Sequence, residues 1–265
     1  MCQNVFYNCR LLKSVDFGVN SELKIIDKNA FNMSSIESIF IPESVVVLVE
    51  GWCNNTGNLF NVVIDERNEF FKYIDDSLII GKSNKNNENY DILCFARRDI
   101  EQVIIPSYIK RISSYAFDCC KRLKNIEFSE NSELETIGEY SFCNSAIENI
   151  SIPSSVKEIE ANAFNYCKML KNINFDENSQ LISLAKEAFL NSSIEAITIP
   201  SQVSKIKLNV FKGCENLKVI EFLENSCLES FSYETDDDGD EIELYFEKII
   251  LPPLLTRIED YLFSY

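Results

Sequence analysis

The sequence predicts an α/β repeat solenoid, a single stack of about ten coils over residues 1–265, each with a brief strand and a short helical or irregular return. Three observations carry this expectation. LKNIEFSENSELETIGEYSF, from Leu123 to Phe142, returns as LKNINFDENSQLISLAKEAF from Leu170 to Phe189. A second unit, NSAIENISIPSSVKEIEANAFNYC from Asn144 to Cys167, alternates with it and returns as NSSIEAITIPSQVSKIKLNVFKGC from Asn191 to Cys214. Phe117, Phe142, Phe164, Phe189 and Phe211 fall at alternating gaps of 25 and 22 residues, a period that suits one turn of a solenoid per coil.

Within a coil, apolar residues at offsets of 0, 3 and 5, as in Leu123, Ile126 and Phe128, are too few for a helix and suit a short strand entered by a bend. In the second unit the strand is cut by proline. Pro42, Pro106, Pro153 and Pro200 follow it directly, where a missing N–H does no harm because the ladder is ending. Val156, Ile159 and Ala163-Phe164 then complete the inward face, with the Ala-Phe pair expected on a short helical turn. Fixed letters point inward and stack on their counterparts; drifting letters face solvent.

Cys120, Cys167 and Cys214 recur 47 residues apart at one repeat position, and Cys9 shares their Phe-x-x-Cys context. Positions two coils apart lie about 10 Å from each other, beyond disulfide reach, so these are expected to be buried free thiols. The chain has no histidine and no paired Cys-x-x-Cys spacing, which removes the usual zinc sites.

The Leu-x-x-Ile-x-Phe-x-x-Asn run, with Asn20, Asn131, Asn178 and Asn225 at its last position, resembles a leucine-rich repeat. Its alternation with Ile-Pro-x-x-Val-x-x-Ile-x-x-x-Ala-Phe coils resembles the BspA-like subclass. VVIDERNEFFKYIDDSLIIGKS…DILCFARRDIEQVIIP, from Val62 to Pro106, is similar to the linker unit that interrupts such arrays, and places an interruption at 65–99. The resemblance implies a right-handed solenoid with a parallel sheet on its concave face. It also implies a place among surface antigens and adhesins of host-associated bacteria and parasitic protists.

Charge narrows the partners. With 25 Lys and Arg against 42 Asp and Glu, the net charge of −17 repels nucleic-acid phosphates and anionic membrane surfaces. No window approaches the roughly 20 apolar residues that span a bilayer. The opening MCQNVFYNCRLLK lacks signal-peptide character, so a chain starting at Met1 is expected in the cytoplasm, whereas the resemblance implies the cell surface. Lack of histidine removes the commonest general base and the Ser-His and Cys-His pairs, and there is no Gly-rich phosphate loop, so neither an enzyme nor a cofactor is expected. An acidic insertion at 232–246 holds Asp236, Asp238 and Asp240, a weak candidate cation loop whose hydrophobic and bidentate positions do not fit calcium. The chain begins inside a coil at VFYNC and ends inside another at IEDYLFSY, which predicts fraying and end-to-end self-association.

Strand residues between the apolar anchors face outward and read as columns across coils. One column runs Glu101, Lys124, Glu148, Lys171, Glu195, Lys218, Glu247, a sign-alternating ladder expected to fix register. Another contains Phe40, Val63 and Ile104, which with Phe60 form a candidate partner-binding patch unless the interruption folds over them. The resulting reading is a non-catalytic protein-binding module, a surface antigen or adhesin acting through the concave face on a host surface or matrix protein. Its competitors are an intracellular scaffold and, remotely, a carboxylate-based glycan enzyme.

Overall fold

The computed structural model describes the chain except residues 19, 85, 224, 233–246, 254, 256 and 259–265. Nearly all of the acidic insertion, including Asp236, Asp238 and Asp240, therefore lies outside the described residues.

Each coil contributes a long strand and a short one. Along the chain these are β1 (Ser14–Asp16) and β2 (Ile25–Ile26), β3 (Ser38–Ile41) and β4 (Val47–Leu48), then β5 (Asn61–Ile64). An inserted meander follows, β6 (Phe71–Ile74), β7 (Leu78–Gly81) and β8 (Ile92–Ala96). The pattern resumes with β9 (Gln102–Ile105) and β10 (Arg111–Ile112), β11 (Asn125–Phe128) and β12 (Thr136–Ile137), β13 (Asn149–Ile152) and β14 (Glu158–Ile159). It ends with β15 (Asn172–Phe175) and β16 (Ser183–Leu184), β17 (Ala196–Ile199) and β18 (Lys205–Lys207), β19 (Val219–Phe222) and β20 (Ser230–Ser232), β21 (Lys248–Ile250) and β22 (Arg257–Ile258). Long strands pair in parallel with long, and short with short.

The strands are short because only two or three of their residues have a core to face. In β13 and β17, exposed and buried positions alternate, with Ile150 and Ile152, then Ile197 and Ile199, pointing inward. Pro153 and Pro200 follow, as the sequence predicts.

The return past Phe117, Phe142, Phe164 and Phe189 is not helical, which corrects the α/β expectation. Among the described residues the one helix is a 3-10 turn, Leu208–Phe211. Residues two before and two after Phe117, Phe142, Phe164 and Phe189 sit at positive φ, for example Asn162 (57°) and Tyr166 (55°) around Phe164. That leaves three residues between left-handed positions, too few for an α-helical turn. The N–H groups are also spoken for. Asn162, Phe164 and Tyr166 donate to Lys186, Ala188 and Leu190 of the next coil at 3.2, 2.8 and 2.9 Å. Ala163 and Asn165 instead donate back to Glu160 and Asn162. The return is thus a chain of tight turns laddered onto its neighbour.

Stacked rings fill the interior behind these turns. Phe117, Phe142, Phe164, Phe189 and Phe211 stack with nearly parallel rings and centroids 4.9 to 6.0 Å apart. Such pairs add about 0.5–1.5 kcal/mol each beyond the area they bury. A second column, Phe6, Phe31, Trp52 and Phe95, serves the N-terminal coils.

The meander separates two buried clusters. Leu78, Ile80, Leu93 and Ala96 pack into the C-terminal one, while Phe71, Ile79 and Phe95 pack into the N-terminal one. Its strands therefore carry apolar residues on both faces, and Leu-Ile-Ile-Gly of β7 is buried throughout. Gly81 leaves no room for a side chain, since a Cβ would stand 2.8 Å from the Cys94 sulfur. The meander and the short strands β10, β12, β14 and β16 form one seven-stranded sheet, β16-β14-β12-β10-β8-β7-β6, while β2-β4 and β18-β20-β22 are separate. The long strands are divided into β1-β3-β5, β9-β11 and β13-β15-β17-β19-β21.

A polar seam joins the stacks around the insertion. Arg98, 2% exposed, donates to the Ala116 and Tyr115 carbonyls at 2.8 and 3.3 Å and lies 4.6 Å from the Phe95 ring. Buried Asp118 accepts from the Asn55 N–H of the N-terminal stack. Burial raises its carboxyl pKa against the opposing pull of Arg98. Nearer the surface, Arg111 bridges Glu160 at 2.8 Å and Glu50 at 3.2 Å.

All ten cysteines are free. Cys120, Cys167 and Cys214 are buried, and the last two donate to the Phe142 and Phe189 carbonyls at 3.0 Å, with Ser145 and Ser192 beside their sulfurs. Burial pushes their thiols from the ordinary 9.0 to about 12 for Cys167 and about 11 for Cys120 and Cys214. A folded state that favours the neutral thiol keeps this contribution whole below pH 9 and loses it as pH rises to about 11–12. Urea midpoints are therefore expected to hold steady from pH 7 to about 8.5 and fall beyond. In a thiol-labelling time course at pH 8, exposed Cys2 and Cys227 should react first. Labelling of Cys167 at the same rate in the folded chain would contradict the assignment.

Candidate functional site

The outward side of the long strands is the surface on which the predicted columns can be examined. Parallel register places Phe40 beside Val63, and Ser38 beside Asn61, so Phe60 follows Glu37 in the neighbouring column. Phe60 is 40% exposed, Val63 48% and Ile104 60%, so the meander does not cover them; Phe40 is half-buried. The structure brings Phe40, Phe60 and Val63 onto two adjacent strands. Ile104 occupies the same repeat position but on β9, which pairs with β11 and not with β5.

The charged column is in register across the C-terminal coils. Gln102 pairs with Asn125, Asn149 with Asn172 and Ala196 with Val219, which sets Glu101 beside Lys124, Glu148 beside Lys171 and Glu195 beside Lys218. Closed ion pairs form at its end, where Lys218 meets Glu247 at 2.6 Å, and in the N-terminal coils, where Lys13 meets Glu37. Glu101 turns instead to Arg122. The next column is uncharged there: the Asn172 side-chain amide donates to Asn149 at 2.7 Å.

Beside Ile104 lies a hollow of about 900 Å³, lined by the β6–β7 turn, β9 and the start of β11. Asp75 and Asp76 form that turn, and Arg97 with Asp99 forms a 2.6 Å ion pair at its rim. Neither aspartate is picked out by column reasoning, because both belong to the insertion rather than to a repeat. The Ile-Asp-Asp-Ser segment between two apolar runs is nonetheless a hairpin-turn signal. Among the described residues no three His, Cys, Asp or Glu side chains are grouped to hold a metal ion, and no helix is long and apolar enough to cross a membrane.

Stacked parallel coils with one long and one short strand define a β-solenoid repeat protein. The chain belongs to the family described as BspA type leucine rich repeat region, which matches residues 1–82 and 90–233 in six copies. That membership implies a role in protein interaction. Among solved structures, the pneumococcal vaccine antigen PcpA is similar at a TM-score of 0.72 and 23% identity, over 89% of this chain and 61% of that one. A leucine-rich repeat protein from Eubacterium ventriosum matches at 0.69 and 20% identity, over 96% and 70%. A leucine rich cell surface protein from Faecalibacterium prausnitzii matches at 0.55 and 20%, over 83% and 62%. At these identities the likeness carries the fold, and the chain spans less than two thirds of the antigen. No curated protein matches the chain.

If the charged column holds register, Glu148→Lys, which sets three cations side by side, should cost about 1 kcal/mol in low salt. The loss should shrink in 0.5 M NaCl, as measured by urea unfolding. A loss that is absent, or equal at both salt concentrations, would remove the column from the account.

Proposed function

We propose that this protein is a non-catalytic interaction module that binds a partner protein through its long strands, forming the concave face of a right-handed solenoid. Its role is that of a surface antigen or adhesin for a host surface or matrix protein. The observation that carries this reading is the exposure of Phe60, Val63 and Ile104 on strands whose other faces are buried. Large apolar side chains grouped on an outward strand face favour an interface. Family membership and the surface proteins among its structural neighbours support the same role. A charge of −17 turns nucleic acid away.

One observation favours an intracellular scaffold as the second reading. Ten free cysteines, two of them exposed, suit a reducing compartment. Protease shaving of intact cells separates the two: loss of the chain while a cytosolic control survives supports the surface role, and survival until lysis supports the scaffold.

The patch itself is tested by Phe40→Asp combined with Ile104→Asp, with binding measured against a panel of purified matrix proteins and intact host cells. Binding should fall at least tenfold while the circular dichroism spectrum stays that of the parent. Unchanged binding by a folded double variant would end the patch reading.

A further inference from the structure

The ladder of long strands breaks between β5 and β9, where the insertion enters, and again between β11 and β13. In β3, β5 and β11 the N–H of the first strand residue reaches back to the previous coil: Ser38 to Lys13, Asn61 to Glu37, Asn125 to Glu101. The equivalent bonds from Gln102 and Ile104 would need β5 alongside, to supply the Phe60 and Val62 carbonyls. But β5 pairs with β3 alone and β9 with β11 alone. The coils touch at their entry, where the Arg98 N–H donates to the Leu59 carbonyl at 3.3 Å, and then diverge around the meander. Among the described residues, the N–H groups of Gln102 and Ile104 have no partner and line an open strand edge.

That edge borders the 900 Å³ hollow. Ile104 gives the hollow an apolar wall. Opposite stands the Asp75-Asp76 turn, held rigid by positive φ at both residues (50° and 46°) and by the Ser77 N–H donating to Ile74 at 3.0 Å. Arg97 is engaged by Asp99 and Arg122 by Glu101, which leaves Lys124 facing Asp75, Asp76 and Glu127. The hollow therefore combines unpaired backbone donors, an apolar contact and an acidic excess.

We infer that it takes an extended segment of a partner protein, with alternating basic and apolar side chains, added as a strand along the outer edge of β9. This deepens the protein-binding reading above and rests on it. The segment's carbonyls accept from Gln102 and Ile104, its apolar side chains meet Ile104 on the outward face, and its Lys or Arg side chains meet Asp75 and Asp76. Backbone pairing supplies affinity, and the carboxylates set the sign of what is accepted.

Fluorescence anisotropy on the full chain in 150 mM salt tests this with two synthetic nonapeptides, KVKVKVKVK and EVEVEVEVE. The basic probe should bind saturably with one site, and the acidic probe should not bind. Asp75→Asn with Asp76→Asn, which keeps residues that tolerate the turn, should weaken the basic probe at least tenfold. So should N-methylation of alternate peptide bonds, which preserves charge and removes strand pairing. Ile182→Asp, an exposed change outside the hollow, should leave it within twofold. Equal binding of the methylated probe, or no effect of the Asn variants, would reduce the attraction to overall charge and overturn the inference. Loss of binding in Ile182→Asp would place the site outside the hollow with the same result. Absence of probe binding alongside a dimer that the Asn variants dissociate would assign the hollow to a second copy of the chain and likewise overturn it. Failure here with the matrix-binding defect of the patch variant intact would sink this inference alone.

Discussion

No coil of this protein satisfies its own backbone. Long-strand amides reach back to the preceding coil, as Lys171 does to Glu148, while turn amides reach forward, as Phe164 does to Ala188. Each coil is thus bonded on both sides through the same main chain, and an unsatisfied buried amide costs about 1–3 kcal/mol. Register follows from this, because moving a coil by one residue would break both ladders and turn its inward isoleucines to solvent. The stacked phenylalanines and the buried thiols are what such a register produces when one residue type suits a position in coil after coil.

That dependence makes an interruption costly, and the chain manages it unevenly. Behind the short strands the meander extends the C-terminal sheet, with β8 paired to β10 in parallel, while β4 pairs with β2 alone. Inside, it presents apolar residues on both faces, and Arg98 fills the space between the two aromatic columns, its guanidinium over Phe95 and its N–H groups on the Ala116 and Tyr115 carbonyls. On the long-strand side nothing equivalent restores the pairing. The open edge of β9, the acidic turn and the exposed Ile104 are all consequences of one insertion.

The repeat made most of the fold legible in the sequence. Offsets of Leu123, Ile126 and Phe128, the prolines after the strands and the spacing of Cys120, Cys167 and Cys214 all correspond to observed positions, because each is an inward contact repeated many times. The short second strands were not legible, since two residues such as Glu158-Ile159 carry no period of their own. The expected Ala-Phe helical turn gave way to laddered turns because flanking left-handed positions, occupied as often by Tyr115, Met33 or Glu187 as by asparagine, follow from stacking and not from local preference. At the candidate site, the exposure of Phe60, Val63 and Ile104 is accessible to column reasoning, but the separation of Ile104 from Val63 is not. It depends on how a unique insertion folds, and no second copy in the chain exists to compare it with. Arg98 illustrates the same limit: in sequence it is one of two adjacent arginines, and only the fold distinguishes buried Arg98 from Arg97 at the rim.

The central claim is that the long-strand ladder is open where the insertion enters, between β5 and β9. Residue-resolved hydrogen exchange on the free chain tests this most directly. Asn125 and Glu127, paired back to β9, should exchange slowly, whereas Gln102 and Ile104, at the same repeat positions one coil earlier, should exchange orders of magnitude faster. Equal protection at the two pairs would mean that β9 has a partner strand, and the open edge with everything built on it would be wrong.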